Sequence, residues 1–343
     1  MIRQAVLLLG GRGTRLWPLT EARPKGLLPV SGLPFFEYQV RMLAELGVHE
    51  VFLAVSKAWQ DTWDEYLGSR PELSHVETIP EETPLDTAGP VRSMLDRLDG
   101  PFLTLNGDVL FDADLRSLLE PGATRSTIVL TRVEDPSSFG VVVLDDSGLV
   151  QRFVEKPPRQ RAPADTISAV IYLLDPEALS QFAEGPLSFE RKVFPALAAQ
   201  GLLAGVVVEG AWMDIGTPEL YIEAHEHVSA GLSRVYAPES PHGPGEAGGA
   251  IEGFAWIGKG ALVEPGASVG RSVLLSGSVV RSGAVVRGSV LAWGAEVLEG
   301  AEVTGGTVIG ESAVVGAGCE LSGVRIAPGV VLPERAVTMK PPR

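Results

Sequence analysis

Cysteine is nearly missing from this chain: Cys319 is the single one among 343 residues. No internal disulfide can form, and the count suits a reducing compartment. Long apolar runs are missing too, since no stretch of about twenty uncharged apolar residues occurs, which argues against a membrane-spanning helix. The N-terminal MIRQAVLLLGG has a charge and a short apolar run but no small-residue cleavage site, so it reads as a first strand and not a leader. Cations are in deficit, with 28 Lys and Arg against 43 Asp and Glu. The resulting net charge of −15 weighs against broad surfaces for nucleic acid or anionic membrane. Aromatics are only 6% of a composition that is 45% apolar, as in a globular protein with aliphatic cores. A cytoplasmic chain of two domains is expected.

Against that acidic background, VLLLGGRGTRLWPLTEARPKG (6–26) stands out, because Arg12, Arg15, Arg23 and Lys25 face only Glu21. It is not a P-loop, for no Gly-Lys-Ser/Thr closes the glycines, and Gly10, Gly11 and Gly13 have the wrong spacing for a dinucleotide fingerprint. An anion is still the natural occupant of such a loop.

Residues 1–228 alternate strand-like and helix-like segments. QAVLLL, VFLAV (51–55) and FLTLNGD (102–108) read as buried strands. Phe36, Val40, Leu43 and Ala44 recur at helical spacing until Gly47. This order predicts an α/β domain with a Rossmann-like mixed, mostly parallel sheet and helices on both faces. Ligands of such sheets sit at the carboxyl ends of strands. The glycine loop and NGD both fall there, so one cleft could serve both.

Residues 229–250, Pro- and Gly-rich from Ser233 onward, read as a linker. Beyond it, over 251–335, aliphatics recur every six positions: Ile251, Ile257, Val263, Val269 and Leu275, then, after a four-residue step, Val279, Val285, Leu291, Val297, Val303, Ile309, Val315 and Leu321. A six-residue period fits hexapeptide repeats wound into a left-handed parallel β-helix, each repeat one side of a triangle with its aliphatic inward. Acyltransferases built on such a coil use a histidine base. The five histidines (His49, His75, His225, His227 and His242) all precede the repeats, so a structural or oligomerising role is expected. Cys319 occupies a small-residue position of the repeat and reads as packing. Leu274 and Leu291 suggest self-association into a homo-oligomer, and His225 and His227 read as surface residues.

Six blocks in order carry a resemblance. GGRGTRLWPLTEARPKGLLPV, EETPLDTAGP, LNGDVL, VEDPSSFGVVV, FVEKP and WMDIGTPELY resemble the sugar-1-phosphate nucleotidyltransferases, or nucleotide-sugar pyrophosphorylases, over residues 1–228. TAGP, VEDPSSFGVVV and SFERKVFPAL are most similar to the family's guanylyl-transferring members that act on mannose 1-phosphate. The resemblance implies that a nucleoside triphosphate, GTP first, and a sugar 1-phosphate are joined with loss of pyrophosphate. Such a reaction needs two anions held in line and their developing charge neutralised. It also implies the roles. Leu9, Gly10, Gly11, Gly13, Thr14, Asp86, Thr87, Gly89 and Asp108 would bind nucleotide, the glycines letting backbone N–H groups approach the triphosphate. Arg15 and Lys25 would hold phosphates, and Lys156 would orient the nucleophile. Gly140, Glu155, Val170 and Asp214 would line the sugar, and Asp108 and Asp214 would bind Mg²⁺. Thr217, before Pro218, is the better helix cap, which leaves Asp214 for the metal. Arg12 reads as a solvated loop arginine. Glu155 and Lys156, adjacent in a strand, are expected to point to opposite faces.

The chain departs from the family pattern at Gly26, Asp86, Ser168 and Val170. Val170 replaces a glycine and adds bulk beside the sugar. Asp86 could accept from guanine N1–H and N2–H₂. Three readings result: a guanylyltransferase, a sibling enzyme using UTP, dTTP or ATP with glucose 1-phosphate or another sugar phosphate, and a non-catalytic sugar-nucleotide-binding regulator.

Overall fold

The computed structural model describes residues 2–119 and 126–339. Its chain forms two compact units, one of Met1–Gly11 with Gln39–Trp212, the other of Arg12–Tyr38 with Met213–Arg343. No helix of the described residues is long and apolar enough to cross a membrane.

The first unit carries a nine-stranded sheet. Its strands are β1 (Gln4–Leu8), β2 (Glu50–Ser56), β3 (Val76–Glu81), β4 (Phe102–Asn106), β5 (Ser126–Arg132), β6 (Gly140–Leu144), β7 (Val150–Glu155), β8 (Thr166–Leu174) and β9 (Leu203–Val207). They lie in the order β7-β6-β8-β4-β1-β2-β3, with β5 on β8 and β9 on β5. β3, β2, β1 and β4 are all parallel, as crossover helices require. Ala5, Val6 and Leu7 in its centre are fully buried, the continuous apolar strand of a sheet covered on both faces. The other half differs: β8 runs antiparallel to β4, β5 and β6, and β6 antiparallel to β7. One pair there, β9 on β5, is again parallel, so the sheet is mixed and the mostly parallel character expected from sequence holds throughout only in the first half. The cause between β6 and β7 is local. A tight turn joins them, in which the Asp145 carboxylate accepts from the Ser147 and Leu149 N–H groups and Gly148 has φ 82°. So short a link permits only an antiparallel return.

In the second unit, residues 12–38 lead from Gly13 through short 3-10 turns to the strand pair Pro29–Val30 and Leu33–Pro34. The helix Pro218–Ser229 begins as expected, with Pro218 in its first turn and the Thr217 hydroxyl accepting from the Leu220 N–H at 3.4 Å. His225, expected at the surface, is instead fully buried. Its Nδ1 accepts from the Ser31 N–H and its Nε2 donates to the Pro29 carbonyl, each at 3.0 Å. Tyr221, Ile222, His225, Val228 and Ser229 make one inward face at helical spacing, and the histidine falls on it by phase.

From Glu246 the chain winds into parallel coils. Equivalent residues stack 17 or 18 positions apart: Val263, Val280, Val297 and Val315 on one side, Val269, Val286, Val303 and Leu321 on the next, Ile257, Leu274, Leu291 and Ile309 on the third. All are at most 1% exposed. The inward series thus differs from the sequence expectation. Leu274, Val280 and Val286 point inward where Leu275, Val279 and Val285 were expected, and two five-residue sides (269 to 274, 286 to 291) replace one four-residue step. Val279-Val280 and Val285-Val286 are doublets, so periodicity alone cannot say which valine is inside. Leu274 and Leu291 are fully buried and offer no outer surface for self-association. Cys319 is fully buried in the coil core, as its repeat position suggests. The glycine-rich end of the segment read as a linker is ordered against the coil, with Glu246–Ala247 pairing in parallel with Leu262–Val263.

Burial lowers the His225 pKa to about 3, against the opposing pull of the Pro29 carbonyl. The unfolded chain, with an ordinary histidine pKa near ~6.5, therefore binds the extra proton. Stability is full above pH ~6.5 and falls by up to ~1.4 kcal/mol per pH unit as pH drops toward 3. Thermal unfolding from pH 7.5 to 5 should show this loss, and His225→Gln, though less stable, should show a flatter profile. An equal slope in the two proteins would remove His225 as the source.

Candidate active site

In the first unit the parallel pairing of β1 with β4 sets Leu8 beside Asn106, and the Gly107 N–H continues onto the Leu8 carbonyl at 2.8 Å. A Cβ on Gly107 would lie 2.1 Å from the Leu9 side chain, so only glycine lets the two strand ends close. Leu9, Gly10 and the half-buried Asp108 thus emerge side by side, as their strand-end positions led one to expect. Gln39 fixes this turn, its Nε2 donating to the carbonyls of Asn106 (2.7 Å) and Val109 (3.0 Å). Gln39 carried no motif signal. Gly10 lies on Glu81, at the end of β3: a Cβ there would be 2.6 Å from Glu81 Oε1. Burial raises the Glu81 pKa, and the Leu85 N–H, donating to Oε2 at 3.2 Å, offsets it in part. Glu81 was also missed, although it begins the EETPLDTAGP block. Gly11 is exposed with open space around its Cα.

The rest of that block has protein partners. Asp86 (φ 64°) is ion-paired with Arg191, and its carboxylate accepts from the Thr87 N–H at 2.9 Å. Thr87 Oγ1 donates to Glu190 at 2.8 Å and accepts from the Phe189 N–H at 3.0 Å. A Cβ on Gly89 would be 2.7 Å from the Gly185 carbonyl, so this glycine serves close packing.

A second cluster in the same unit gathers three of the residues assigned to the sugar, Gly140, Glu155 and Val170, while the fourth, Asp214, belongs to the other unit. Gly140 pairs with Glu155 across β6 and β7, and a Cβ on Gly140 would be 3.2 Å from Glu155 Oε2. β7 ends at Glu155, and Lys156 turns left-handed with φ 44°. Its ammonium therefore meets the Glu155 carboxylate at 3.2 Å, where strand alternation had predicted opposite faces. The Lys156 N–H donates to the Phe139 carbonyl at 3.0 Å. The Phe139 ring stands edge-on to Trp212 at 5.0 Å, and Trp212 Nε1 donates to the Ala169 carbonyl at 3.2 Å. Beside it, Val170 has φ 55° at a bulge where β8 shifts register against β5. Ser168 Oγ accepts from the Val170 N–H at 3.1 Å. A β-branched residue in this region is strained by about 1–3 kcal/mol. The valine thus holds the backbone conformation a glycine would adopt with ease.

In the second unit Gly13 (φ 61°) lets the loop fold back. A Cβ there would be 2.9 Å from Thr20 Cγ2 and 3.3 Å from Lys25 Cβ, and Thr20 Oγ1 donates to the Gly13 carbonyl at 3.0 Å. Lys25 is thereby brought behind Gly13 and Thr14. The Arg15 guanidinium lies over Gly216, where a Cβ would be 2.7 Å away, and reaches Asp214 at 3.7 Å. Arg12 is exposed, in line with its reading as a solvated residue.

Among the described residues no group of three or more His, Cys, Asp or Glu could hold a metal ion. Mg²⁺ would need fewer protein ligands than such a group, one or two carboxylates completed by water and substrate phosphates. Asp108 in one unit and Asp214 in the other each offer a partly buried carboxylate.

Residues 4–231 match the nucleotidyl transferase family, and residues 246–340 match the GMPPB C-terminal domain. A mannose-1-phosphate guanylyltransferase catalytic subunit beta from Drosophila pseudoobscura pseudoobscura is 35% identical over 268 residues, covering 76% of this chain and 72% of that one. Mannose-1-phosphate guanylyltransferase 1 from Arabidopsis thaliana is 36% identical over 276 residues, covering 78% and 76%. Among solved structures, HddC from Yersinia pseudotuberculosis complexed with GMP-PN is 27% identical with a TM-score of 0.57, covering 66% of this chain and 99% of that one.

Val154, half-buried in β7 with ordinary strand geometry, provides a control for the strain at Val170. Val170→Gly should cost about 1–2 kcal/mol less than Val154→Gly, the difference being the relief of a left-handed valine. Urea unfolding midpoints measure it, and equal losses would mean that Val170 is unstrained.

Proposed function

The chain belongs to the nucleotidyl transferase family, and from that premise we propose that it transfers GMP from GTP to mannose 1-phosphate. A phosphate oxygen of the sugar attacks the α-phosphorus, the bond to the β-phosphate bridging oxygen breaks, and pyrophosphate leaves with the released charge. The nucleophile is already ionised at neutral pH, so positioning and charge neutralisation do the work. Lys156, held by Glu155 beside Gly140, orients the sugar phosphate, and that ion pair on a left-handed turn is the observation that carries this reading. Arg15 and Lys25 bind the triphosphate and the departing pyrophosphate. Leu9, Gly10, Gly11, Gly13 and Thr14 supply the loop backbone, and Asp86, Thr87 and Gly89 shape the nucleotide side. Of the three carboxylates in that block, Asp86 is occupied by Arg191 and Glu82 lies 3.7 Å from the Lys57 ammonium. Glu81 under Gly10 is the one we assign to guanine, whose N1–H and N2–H₂ can both donate to it. Gly140, Glu155, Val170 and Asp214 bound the sugar.

The finer assignments belong to the same proposal. Mg²⁺, held through Asp108 and Asp214, would neutralise phosphate charge. Residues 1–228 form the catalytic domain and 251–335 a left-handed β-helix, the hand supported by the hexapeptide period. Self-association of two copies would use the last coil, where Val331 and Val337 stand 70% and 61% exposed. The single buried thiol and acidic surface are compatible with the cytoplasm.

Pyrophosphate release with Mg²⁺ should be measured for four nucleoside triphosphates against mannose, glucose and heptose 1-phosphates. GTP with mannose 1-phosphate should dominate. A UTP, dTTP or ATP pair would move the chain to a sibling activity, and silence across the grid, with nucleotide-sugar still bound, would leave a regulatory role. Lys156→Ala should lower kcat/KM by about 10²-fold or more with an unchanged fold, and unchanged turnover would remove its role. Glu81→Gln should narrow the preference for GTP over ITP by roughly tenfold, because the amide can no longer accept from both guanine donors.

A further inference from the structure

Trp293 and Glu311 occupy equivalent corners of consecutive coils. The Ser312 N–H donates to the Trp293 carbonyl at 2.9 Å, and the Gly329 N–H to the Glu311 carbonyl at 2.8 Å. Corner residues of this stack point away from the coil interior, and the one below Trp293 is Ser276, whose carbonyl accepts from the Gly294 N–H. A tryptophan at such a corner contributes nothing to the coil core, of which it is no member. Both side chains instead close on Arg23. Its guanidinium lies 3.6 Å from the centre of the Trp293 ring, and its Nη2 donates to Glu311 Oε2 at 2.7 Å. Arg23 Nε is buried without a hydrogen bond, so the indole face and the single carboxylate are what compensate this cation.

The seat of Arg23 governs the next two residues of the chain. Pro24 has its φ fixed by the ring, and Lys25 opens a 3-10 turn closed by the Leu27 N–H on the Pro24 carbonyl and the Leu28 N–H on the Lys25 carbonyl, each at 3.0 Å. The proline ring and the turn's hydrogen bonds thus restrict the link between the Arg23 and Lys25 backbones. Lys25 Cβ in turn abuts the position a Gly13 side chain would fill.

We infer that Trp293 and Glu311 are positioning residues for the phosphate-handling loop: through Arg23 the coil sets the register of Lys25 and Gly13. The inference rests on the triphosphate role proposed for Lys25. A one-ångström misplacement of such a group can cost up to about 10²-fold.

The test uses the full chain and the variants Trp293→Ala, Glu311→Gln, Arg23→Ala and the Arg23→Ala/Trp293→Ala pair, with Trp293→Phe as the conservative control. Two readouts serve: KM for GTP against KM for mannose 1-phosphate, and calorimetric binding of magnesium pyrophosphate. Trp293→Ala and Glu311→Gln should raise KM for GTP and weaken pyrophosphate binding roughly tenfold. KM for mannose 1-phosphate and the thermal midpoint should hold. Trp293→Phe should restore most of the loss, and the double variant should be no worse than Arg23→Ala alone. Additive losses, equal changes in both KM values with a lower midpoint, or no change at all would overturn the inference. A wild-type chain that binds pyrophosphate but turns over no pair would overturn the proposed activity, and the calorimetric arm would still decide the positioning role.

Discussion

The closure of two strand ends with no side chain on Gly107 to keep Leu9 away is the constraint from which the first unit's chemistry derives. Leu9 and Gly107 come so near that one added methyl group would force β1 and β4 apart. A parallel ladder in fixed register then delivers Leu9, Gly10 and Asp108 to the same edge without any further device. Gln39 holds the far side of the turn through two main-chain carbonyls. The same economy recurs where charge has to be placed. Glu81 lies against Gly10, Glu155 against Gly140, and Arg15 against Gly216. A charged side chain laid on bare backbone is fixed by contact on one side while its polar end remains available to a partner.

Strain marks the other end of the sheet. Lys156 and Val170 both take left-handed backbone conformations that glycine or asparagine would adopt more cheaply. They are joined through Phe139 and Trp212, the first accepting from the Lys156 N–H, the second donating next to Val170. An aromatic pair spanning two strained turns holds each by the same packing, so neither can relax to ordinary strand geometry alone.

Much of this was legible in the sequence, for identifiable reasons. The coil announced itself because glycine corners and inward aliphatics repeat too regularly to be anything else. Three strands of the parallel half, β1, β2 and β4, were visible because they are continuously apolar and separated by helical segments, whereas β3 (VETIPE) carries no such run. The placement of Thr217 as a cap came from its neighbour Pro218. What failed did so where a local pattern has two readings. Val279-Val280 and Val285-Val286 satisfy either phase. Alternation predicts opposite faces for Glu155 and Lys156 only if the strand continues, and it does not. His225 looked like surface because imidazole is polar, yet two backbone partners satisfy it fully inside. Gln39 was invisible because a lone amide has no spacing to betray it, and Glu81, although inside a quoted block, because only the fold lays it against Gly10.

The division of the chain into units has a consequence for inheritance. The chain leaves the first unit after Gly11 and rejoins it at Gln39, and residues 12–38 in between pack with the coil. The exchangeable module is therefore discontinuous: a recombinant joined cleanly near residue 228 would bring in a foreign coil and leave Arg23 without its tryptophan and glutamate. Coil and loop should drift as one lineage and be swapped as one cassette, although more than two hundred residues of chain separate Arg23 from Trp293.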